Sequence, residues 1–527
     1  MTISAPDPAQ PPPWTLHLPP GTPAAHLDLA AGQTLVGCWV AAWADDPGHP
    51  VLTTLDGTAV SAGELAERTA VAAARYAAAG LVPGDRLLMS AGPSVDLIVA
   101  YVAALRYGLT VVPANTAYTG PELAAVLADA TPALAVLDDP ARLPAGEVAR
   151  PSVDPPGARP ATMSTPATTR PDLGGLPAPV AEVALDLARP GDVALIVYTS
   201  GTTGRPRAAP LTHANLLASA HAVRLAWRWR PDDRLALCLP LFHVHGLGVG
   251  LHGSLTAGAS VLVLPRFSES GVAAAVREGG ATLFFGVPTM YHRLAGSAHL
   301  AELRGLRLAV SGSAPLPADL HAAVAAGSGQ RVLERYGMTE TLMLASNPYA
   351  AQRRPGTVGF ALPGVSLRLT EGATGLTEIE VAGPNVISGY RDRPDADAVA
   401  FTPDGWFRTG DLGTFDADGY LRISGRVKEL IITGGYNVYP REVEEALTSH
   451  PAVADAAVVG VASAEWGETV VAFVVASDAV DRGLLQRQLG GWCAERLAPH
   501  KRPREWRWID RIPRNALGKI VRHELSP

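Results

Sequence analysis

Short aliphatic runs alternate with helical patterns along most of the chain, and this alternation restricts the fold more than any other feature. One unit shows the logic. Ser61 with Glu64 reads as a capping box that opens an Ala-rich helix running to Gly80. The turn Val82-Pro83-Gly84-Asp85 leads into a predicted strand from Arg86 to Ser90, and a second helix is expected from about Ser94 to Tyr107. Strands separated by helices pair in parallel, with the helices packed on the sheet faces. The expected class is therefore α/β, with layered sheets that are largely parallel.

At 527 residues the chain is too long for one compact core, so two or more domains are expected. Residues 1–30 open with MTISAPDPAQ PPPWTLHLPP and read as a Pro-rich flexible arm. Residues 31–425 form the large N-terminal domain, within which the stretch 140–190, dense in Pro, Ala and Thr, reads as a surface connection. Residues 426–527 form a small α+β C-terminal domain. The boundary lies near Ser424 to Lys428, between predicted strands at Gly419 to Ile423 and Glu429 to Thr433. Beyond it, Val443 and Leu447 stand at i,i+4 in a predicted helix from Arg441 to Leu447.

Composition narrows the function classes. A formal charge of −7 argues against a nucleic-acid partner, because binding to a phosphate backbone leaves a basic footprint. Cys38, Cys238 and Cys493 are widely spaced, with no CxxC zinc spacing, and fit a reducing cytoplasm. Met1 to Pro20 lacks the regions of a signal peptide, and Gly, Pro, His or charge interrupts every apolar stretch before spanning length. A cytoplasmic protein without a membrane span is expected.

Tyr198 to Pro206 reads YTSGTTGRP, directly after the buried-strand pattern Val193 to Val197. Small residues after a strand let backbone N–H groups turn towards an anion, and the hydroxyls of Thr199, Ser200, Thr202 and Thr203 add donors. GxxxxGK[ST] is absent, so this is not a Walker A loop. Further motifs follow in order: LPLFHVHGLG (239–248), SGSAPLP (311–317), ERYGMTET (334–341), FRTGDLG (407–413), GRVKELI (425–431), GGYNVYPREVE (434–444) and PRNALGK (513–519). Together they resemble the acyl-adenylate-forming superfamily over about residues 40–525. One departure stands out: where the family's loop continues Pro-Lys-Gly, this chain has Pro206-Arg207-Ala208. Arg207 keeps the charge as a fork of donors, and Ala208 would be strained at a position requiring φ > 0.

The resemblance implies attack of a carboxylate on the α-phosphorus of ATP with loss of pyrophosphate, then transfer of the acyl group to coenzyme A. Two anions must meet, so catalysis rests on positioning and fixed positive charge. By resemblance, Thr199, Ser200, Gly201, Thr202, Thr203 and Gly204 hold the phosphates, and Ser313, Ala314, Pro315, Tyr336, Gly337 and Met338 wall the adenine pocket. Asp411 takes the ribose and Arg426 adds a ribose or phosphate contact. Thr339 meets the α-phosphate, and Glu340 binds Mg²⁺, a hard cation that prefers oxygen ligands. Lys519 supplies charge to the transition state. It must leave before a thiol reaches the same carbonyl, so the small domain is expected to be mobile about a hinge at Lys428, with Gly434, Gly435 and Tyr436 then lining the coenzyme A channel.

His243 and His245 flank Val244; in an extended segment they would share one side, orienting or attracting the acid. Met343 adds to this substrate pocket. GVPTMYHR (286–293), together with HVHG and ERYGMTETLM, is similar to malonyl-CoA synthetases, where the arginine holds the far carboxylate; Arg293 takes that place here. A buried, unpaired arginine is costly, so a second carboxylate is its natural partner. The expected acid is malonate or a close small dicarboxylate such as methylmalonate; the alternatives are Arg293 paired with a protein carboxylate or facing solvent, an adenylating enzyme that loads a carrier protein, a CoA ligase for another small acid, and a nucleotide-binding relative without activity. Oligomeric state is not legible.

Overall fold

The computed structural model describes residues 13–22, 27–29, 32–143, 167–179, 181–199, 207–371, 377–463, 465–477, 481–515 and 518–525. Two largely parallel sheets dominate it. The nine-stranded sheet carries five parallel pairings through Leu333–Met338, Leu308–Ser311, Leu283–Gly286, Arg234–Leu237, Ser260–Val263 and Pro50–Thr53, with antiparallel strands at both edges. The six-stranded sheet runs Ala167–Thr169, Leu134–Leu137, Arg86–Ser90, Thr110–Pro113 and Val193–Thr199 in parallel, and closes on the antiparallel strand Arg207–Thr212. Strands such as Leu134–Leu137 and Ser260–Val263 are buried at every position, as sheets covered on both faces require.

Local chemistry sets the helix starts. Ser61 Oγ accepts from the Glu64 N–H and opens Ala62–Ala78, while Ser94 caps Val95–Arg106. The latter helix is buried from Leu97 to Arg106, apolar on nearly every side, as an interior helix must be. Its one buried charge, Arg106, meets Asp186 at 2.9 Å and Thr69 Oγ1 at 2.7 Å.

A four-stranded antiparallel sheet (Ser366–Glu371, Thr377–Ala382, Phe407–Phe415, Leu421–Arg426) precedes a five-stranded C-terminal sheet. The C-terminal residues carry a core of their own, in which Ile431, Val443, Leu447, Val458, Val470 and Leu489 pack together. Val443 and Leu447 thus lie on the buried face of Pro440–Thr448, as their spacing predicts.

Three expectations need correction. The strands flanking the boundary shift towards the C-terminus, to Leu421–Arg426 and Ile431–Thr433, with the turn Val427–Glu429 between them. The arm is not flexible throughout: Pro13–His17 is a 3₁₀ turn, and the buried His17 ring reaches the Phe360 carbonyl at 3.3 Å. Residues 1–12 lie outside the described residues, as do 144–166 of the connection. The connection is more than a surface link, because Ala167–Thr169 joins the six-stranded sheet beside Leu134–Leu137. Among the described residues no helix is long and apolar enough to cross a membrane, and the three cysteines are free.

Asp233 ties the entrances of three parallel strands together. Its carboxylate, fully buried, takes Arg307 at 2.6 and 2.9 Å, Thr282 Oγ1 at 2.9 Å and the Arg230 N–H at 2.8 Å. Asp233→Ala leaves the largely covered Arg307 guanidinium without its counter-charge and is expected to cost about 3 kcal/mol, read as a lower denaturant midpoint.

Candidate functional site

The site assembles where loops and strand ends of the nine-stranded sheet meet the antiparallel sheet and the C-terminal residues. Strand Leu333–Met338 presents Tyr336, whose hydroxyl donates to Asp411 Oδ2 at 2.5 Å. Asp411 sits on Phe407–Phe415 directly opposite Arg426, and their side chains pair at 2.7 Å. Tyr336 and Asp411 are buried, and the Asp411 carboxylate is the main influence raising the Arg426 pKa. A carboxylate has about four lone-pair sites, so Asp411 keeps acceptor capacity beyond these two partners. Ser313, at φ +70°, with Ala314 and Pro315, forms the loop after Leu308–Ser311.

Past Tyr336, Gly337 and Met338 lead into a tight turn carrying Thr339 and Glu340 before the chain returns along Leu342–Ser346. Glu340 is buried, and its Oε1 accepts from Thr199 Oγ1 at 3.3 Å and Tyr390 Oη at 2.9 Å. Arg207 lies over the Tyr390 ring, 5.4 Å from its centroid. The strain expected at Ala208 does not arise: Ala208 lies in the strand Arg207–Thr212, where its carbonyl accepts from the Arg391 N–H. Ser200, Gly201, Thr202, Thr203 and Gly204 lie outside the described residues.

His243 and His245 do not occupy an extended segment. The chain turns at Pro240 and enters a π-helical stretch, His245–Leu251, closed by the Val249 N–H on the Val244 carbonyl. Gly246 permits this, since a Cβ there would stand 2.3 Å from the Pro240 carbonyl oxygen. The two imidazoles therefore diverge from the shared side expected for alternating residues. His245 is fully buried with Nδ1 3.1 Å from Ser313 Oγ, while His243 is partly buried and its Nδ1 accepts from the His245 N–H. Burial, then Lys519 and Arg335, lowers the His243 pKa to about 3; burial, then Arg335, lowers that of His245. Both rings are neutral at physiological pH.

Lys519 arrives from the C-terminal domain. Its loop is pinned by reciprocal hydrogen bonds with Asn515, and Gly518 lies against Thr289. The side chain is exposed to the open cleft, yet protein surrounds the ammonium closely enough that desolvation is the largest influence and lowers its pKa. Arg426 and Arg335 push the same way, and Asp411 and Glu340 oppose them. The last residue of the sequence motifs and those of the central strands thus form one electrostatic cluster.

Other expected residues lie elsewhere. Arg293 is not a buried, unpaired cation. It sits half exposed on Pro288–Ala295, forked onto Glu269 at 2.6 and 3.0 Å, with the Phe267 ring 4.9 Å away. Two parallel N–H···O bonds satisfy its fork. Met343 is buried in the main core, with its methyl group close to Gly337. Gly434 donates to the Trp466 carbonyl, Gly435 turns with φ +79°, and Tyr436 stacks on His500 at 4.6 Å, so this loop packs within the C-terminal domain. Lys428 lies on the Val427–Glu429 turn, the passage between the antiparallel and C-terminal sheets.

Sequence reasoning missed Arg335. It is 4% exposed, and among the described residues no ion pair reaches it and its Nε and Nη2 have no hydrogen-bond partner. Burial pulls its pKa down to about 9. The available signal was an arginine inside ERYGMTET, on a strand otherwise buried.

Comparison with known proteins agrees with this geometry. Residues 39–391 match the AMP-binding enzyme family and residues 442–519 match the AMP-binding enzyme C-terminal domain. A malonate–CoA ligase of Arabidopsis thaliana is 38% identical over 64% of this chain, a match spanning 60% of that protein's own length. A sulfoacetate–CoA ligase of Cupriavidus necator is 37% identical over 93% of this chain and 96% of its own. The ATP-bound crystal structure of MatB from Rhodopseudomonas palustris superposes with a TM-score of 0.82 at 37% identity, covering 93% of this chain and 98% of that one.

Burial lowers seven described imidazoles: His17, His213 and His221 to about 4, His243 and His252 to about 3, and His245 and His321 in the same direction. The unfolded chain takes up these protons below about pH 6.5, so it binds more protons than the folded state and stability falls as pH drops. Glu334, raised by burial to about 7, acts in the opposite sense, as do Glu378 and Glu444, but the imidazoles outnumber them. Melting temperature is expected to decline steadily from pH 6.5 to 4; a flat profile there contradicts the neutral assignment.

Proposed function

The chain belongs to the AMP-binding enzyme family and is an AMP-forming acyl-CoA synthetase, and from that premise we propose that its acid is malonate or a close small dicarboxylate such as methylmalonate. Similarity alone does not select the acid, since the malonate and sulfoacetate ligases match at nearly the same identity. Both of those acids carry a second anionic group, which fits a pocket where positive side chains gather beyond the nucleotide residues.

The observation that carries the adenylation reading is Lys519 standing with Asp411, Glu340, Arg335 and His243 although it comes from another domain. In the first step the carboxylate attacks the α-phosphorus and pyrophosphate departs. Tyr336, Asp411 and Arg426 hold the adenosine, Thr199 with the loop from Ser200 to Gly204 holds the β- and γ-phosphates, and Thr339 meets the α-phosphate. The Lys519 ammonium then faces the charge that builds on the phosphoryl oxygens, where surrounding protein already desolvates it in part. His243, neutral, orients the acid by hydrogen bonding. Glu340 suits Mg²⁺: it is a buried carboxylate whose partners among the described residues all use Oε1, and this ion binds through one or two carboxylates together with substrate phosphates. When bound, Mg²⁺ neutralises phosphate charge.

Thiol attack on the acyl-AMP requires Lys519 to withdraw. Lys428, on the single passage between the two sheets, is the proposed hinge, and Gly434, Gly435 and Tyr436 become the wall of the pantetheine channel after rotation. Carrier-protein loading is the competing reading, and it differs in requiring no free coenzyme A.

Pyrophosphate release measured with acetate, malonate, methylmalonate, succinate and a benzoate, with and without coenzyme A, tests the acid and the acceptor together. Malonate or methylmalonate should exceed acetate by at least tenfold in kcat/KM; equal turnover of acetate and malonate overturns the dicarboxylate reading. Lys519→Ala should slow malonate-dependent ATP–pyrophosphate exchange by about 10²–10³-fold, the range for losing one fixed charge-stabilising group. Release of AMP from supplied malonyl-AMP and coenzyme A should change far less, because that half-reaction needs the lysine elsewhere.

A further inference from the structure

Tyr390 belongs to none of the motifs that name the nucleotide residues, yet it touches the carboxylate suited to a metal directly. Its hydroxyl donates to Glu340 Oε1 at 2.9 Å, and the residue is 7% exposed. A tyrosine buried to that degree needs a partner for its O–H, and a carboxylate gives a stronger bond than a neutral acceptor. The Arg207 guanidinium lies 5.4 Å from the centroid of the same ring. One side chain thus meets both Glu340 and the cation that follows the YTSGTTG motif.

The backbone around Tyr390 holds it in that place. Asn385 Nδ2 donates to the carbonyls of Thr341 and Met343 at 2.6 and 3.1 Å, and the Ile387 N–H donates to the Glu340 carbonyl at 2.9 Å. Residues 385–387 therefore lie along the turn that carries Glu340. Asp397 Oδ1, from the helix Pro394–Ala400, accepts the Tyr390 N–H at 2.7 Å. Gly389 leaves room for that carboxylate, because a Cβ there would stand 2.8 Å from Asp397 Oδ2. The Arg391 N–H donates to the Ala208 carbonyl, and its guanidinium reaches the Asp129 carbonyl at 3.2 Å. The Asp129 side chain in turn accepts from Tyr198 Oη. Tyr390 and Arg391 so tie the Glu340 turn to both Val193–Thr199 and Arg207–Thr212, the strands between which the phosphate motif runs.

Glu340 has two carboxylate oxygens, and its partners among the described residues use only one: Thr199 Oγ1 and Tyr390 Oη both bond Oε1. The last torsion of a glutamate is broad, so an unheld carboxylate turns easily. We propose that Tyr390 is a positioning residue for adenylation, fixing Glu340 through Oε1 so that Oε2 is left for the Mg²⁺ that accompanies the triphosphate. This rests on the reading of Glu340 as the metal carboxylate and deepens it by naming what orients that group. Hydrogen bonds to a ligating carboxylate set its orientation, and losing one typically costs about 10–100-fold in metal affinity or activity.

The test separates metal-bound from metal-free nucleotide. Calorimetric titration with ATP in Mg²⁺ and again in EDTA gives two dissociation constants, and their ratio measures what the metal adds to binding. Tyr390→Phe keeps the ring beneath Arg207 and removes only the hydroxyl. The ratio should shrink about tenfold, while the constant in EDTA stays within about twofold of wild type. Malonate-dependent ATP–pyrophosphate exchange should fall about tenfold at low Mg²⁺, and excess Mg²⁺ should restore much of it, a rescue that a merely structural role would not give. Gly389→Ala keeps the hydroxyl but displaces Asp397 and with it Tyr390, and should shrink the ratio in the same direction. That second variant keeps the assignment testable if Tyr390→Phe does not fold. The assignment is overturned if folded Tyr390→Phe keeps the wild-type ratio, or if both constants weaken equally. A wild-type enzyme whose ATP affinity is the same with and without Mg²⁺ defeats the metal reading of Glu340 itself, an outcome visible before any variant is made.

Discussion

Positive charge gathered in one place is the constraint on which the site depends: Arg335 is buried, while Arg426 and Lys519 remain exposed. Arg335, Arg426 and Lys519 converge on one cleft, opposed by two carboxylates, Asp411 and Glu340. In bulk water such an excess would cost little and achieve little. In a low-dielectric pocket each unbalanced charge is expensive without an anion and effective with one. Arg426 is paired with Asp411, whereas no ion pair reaches Arg335 or Lys519 among the described residues. In the proposed reaction a nucleotide triphosphate with an acid supplies the missing negative charge, so the same groups that disfavour the empty site favour the filled one.

The two-domain build follows from that constraint. A fixed lysine above the reacting carboxyl would block the thiol, and a lysine in solvent would stabilise nothing. In the proposed mechanism, Lys519 on a separately packed domain, joined through the Val427–Glu429 turn, is present for one half-reaction and withdrawn for the other. The large domain can then stay rigid: its parallel strands are locked at their entrances by Asp233 and lined internally by aliphatic side chains. The π-helical stretch at His245 is a local irregularity in this scaffold, and it places two neutral imidazoles at different depths of the pocket.

Much of this was legible from local pattern. Capping residues at Ser61 and Ser94, the turn at Val82 to Asp85 and the strand Arg86–Ser90 appear as expected, because each depends on neighbours in sequence. Tyr336, Asp411, Arg426, Glu340 and Lys519 were named from motifs, and the structure brings them together. The histidine pair was misjudged, since alternation implies an extended chain and the close approach of Gly246 to Pro240 produces a helix instead. The edge strand Ala167–Thr169 was hidden in a Pro-rich stretch, for its stability comes from Leu134–Leu137 and not from its own three residues.

The amino-acid order by itself determined the alternating architecture and the family, and named the side chains that the structure gathers in one cleft, because these rest on local propensity and on motifs that carry their chemistry within a few residues. Only the tertiary structure decided which arginine is short of a counter-charge. Arg293 lies in the motif that suggested an anion, but Glu269, 24 positions away, reaches it, while Arg335 enters a slot that Gly312 leaves open and meets no carboxylate among the described residues. Pairing is a property of distance in space, and spacing along a chain does not encode it.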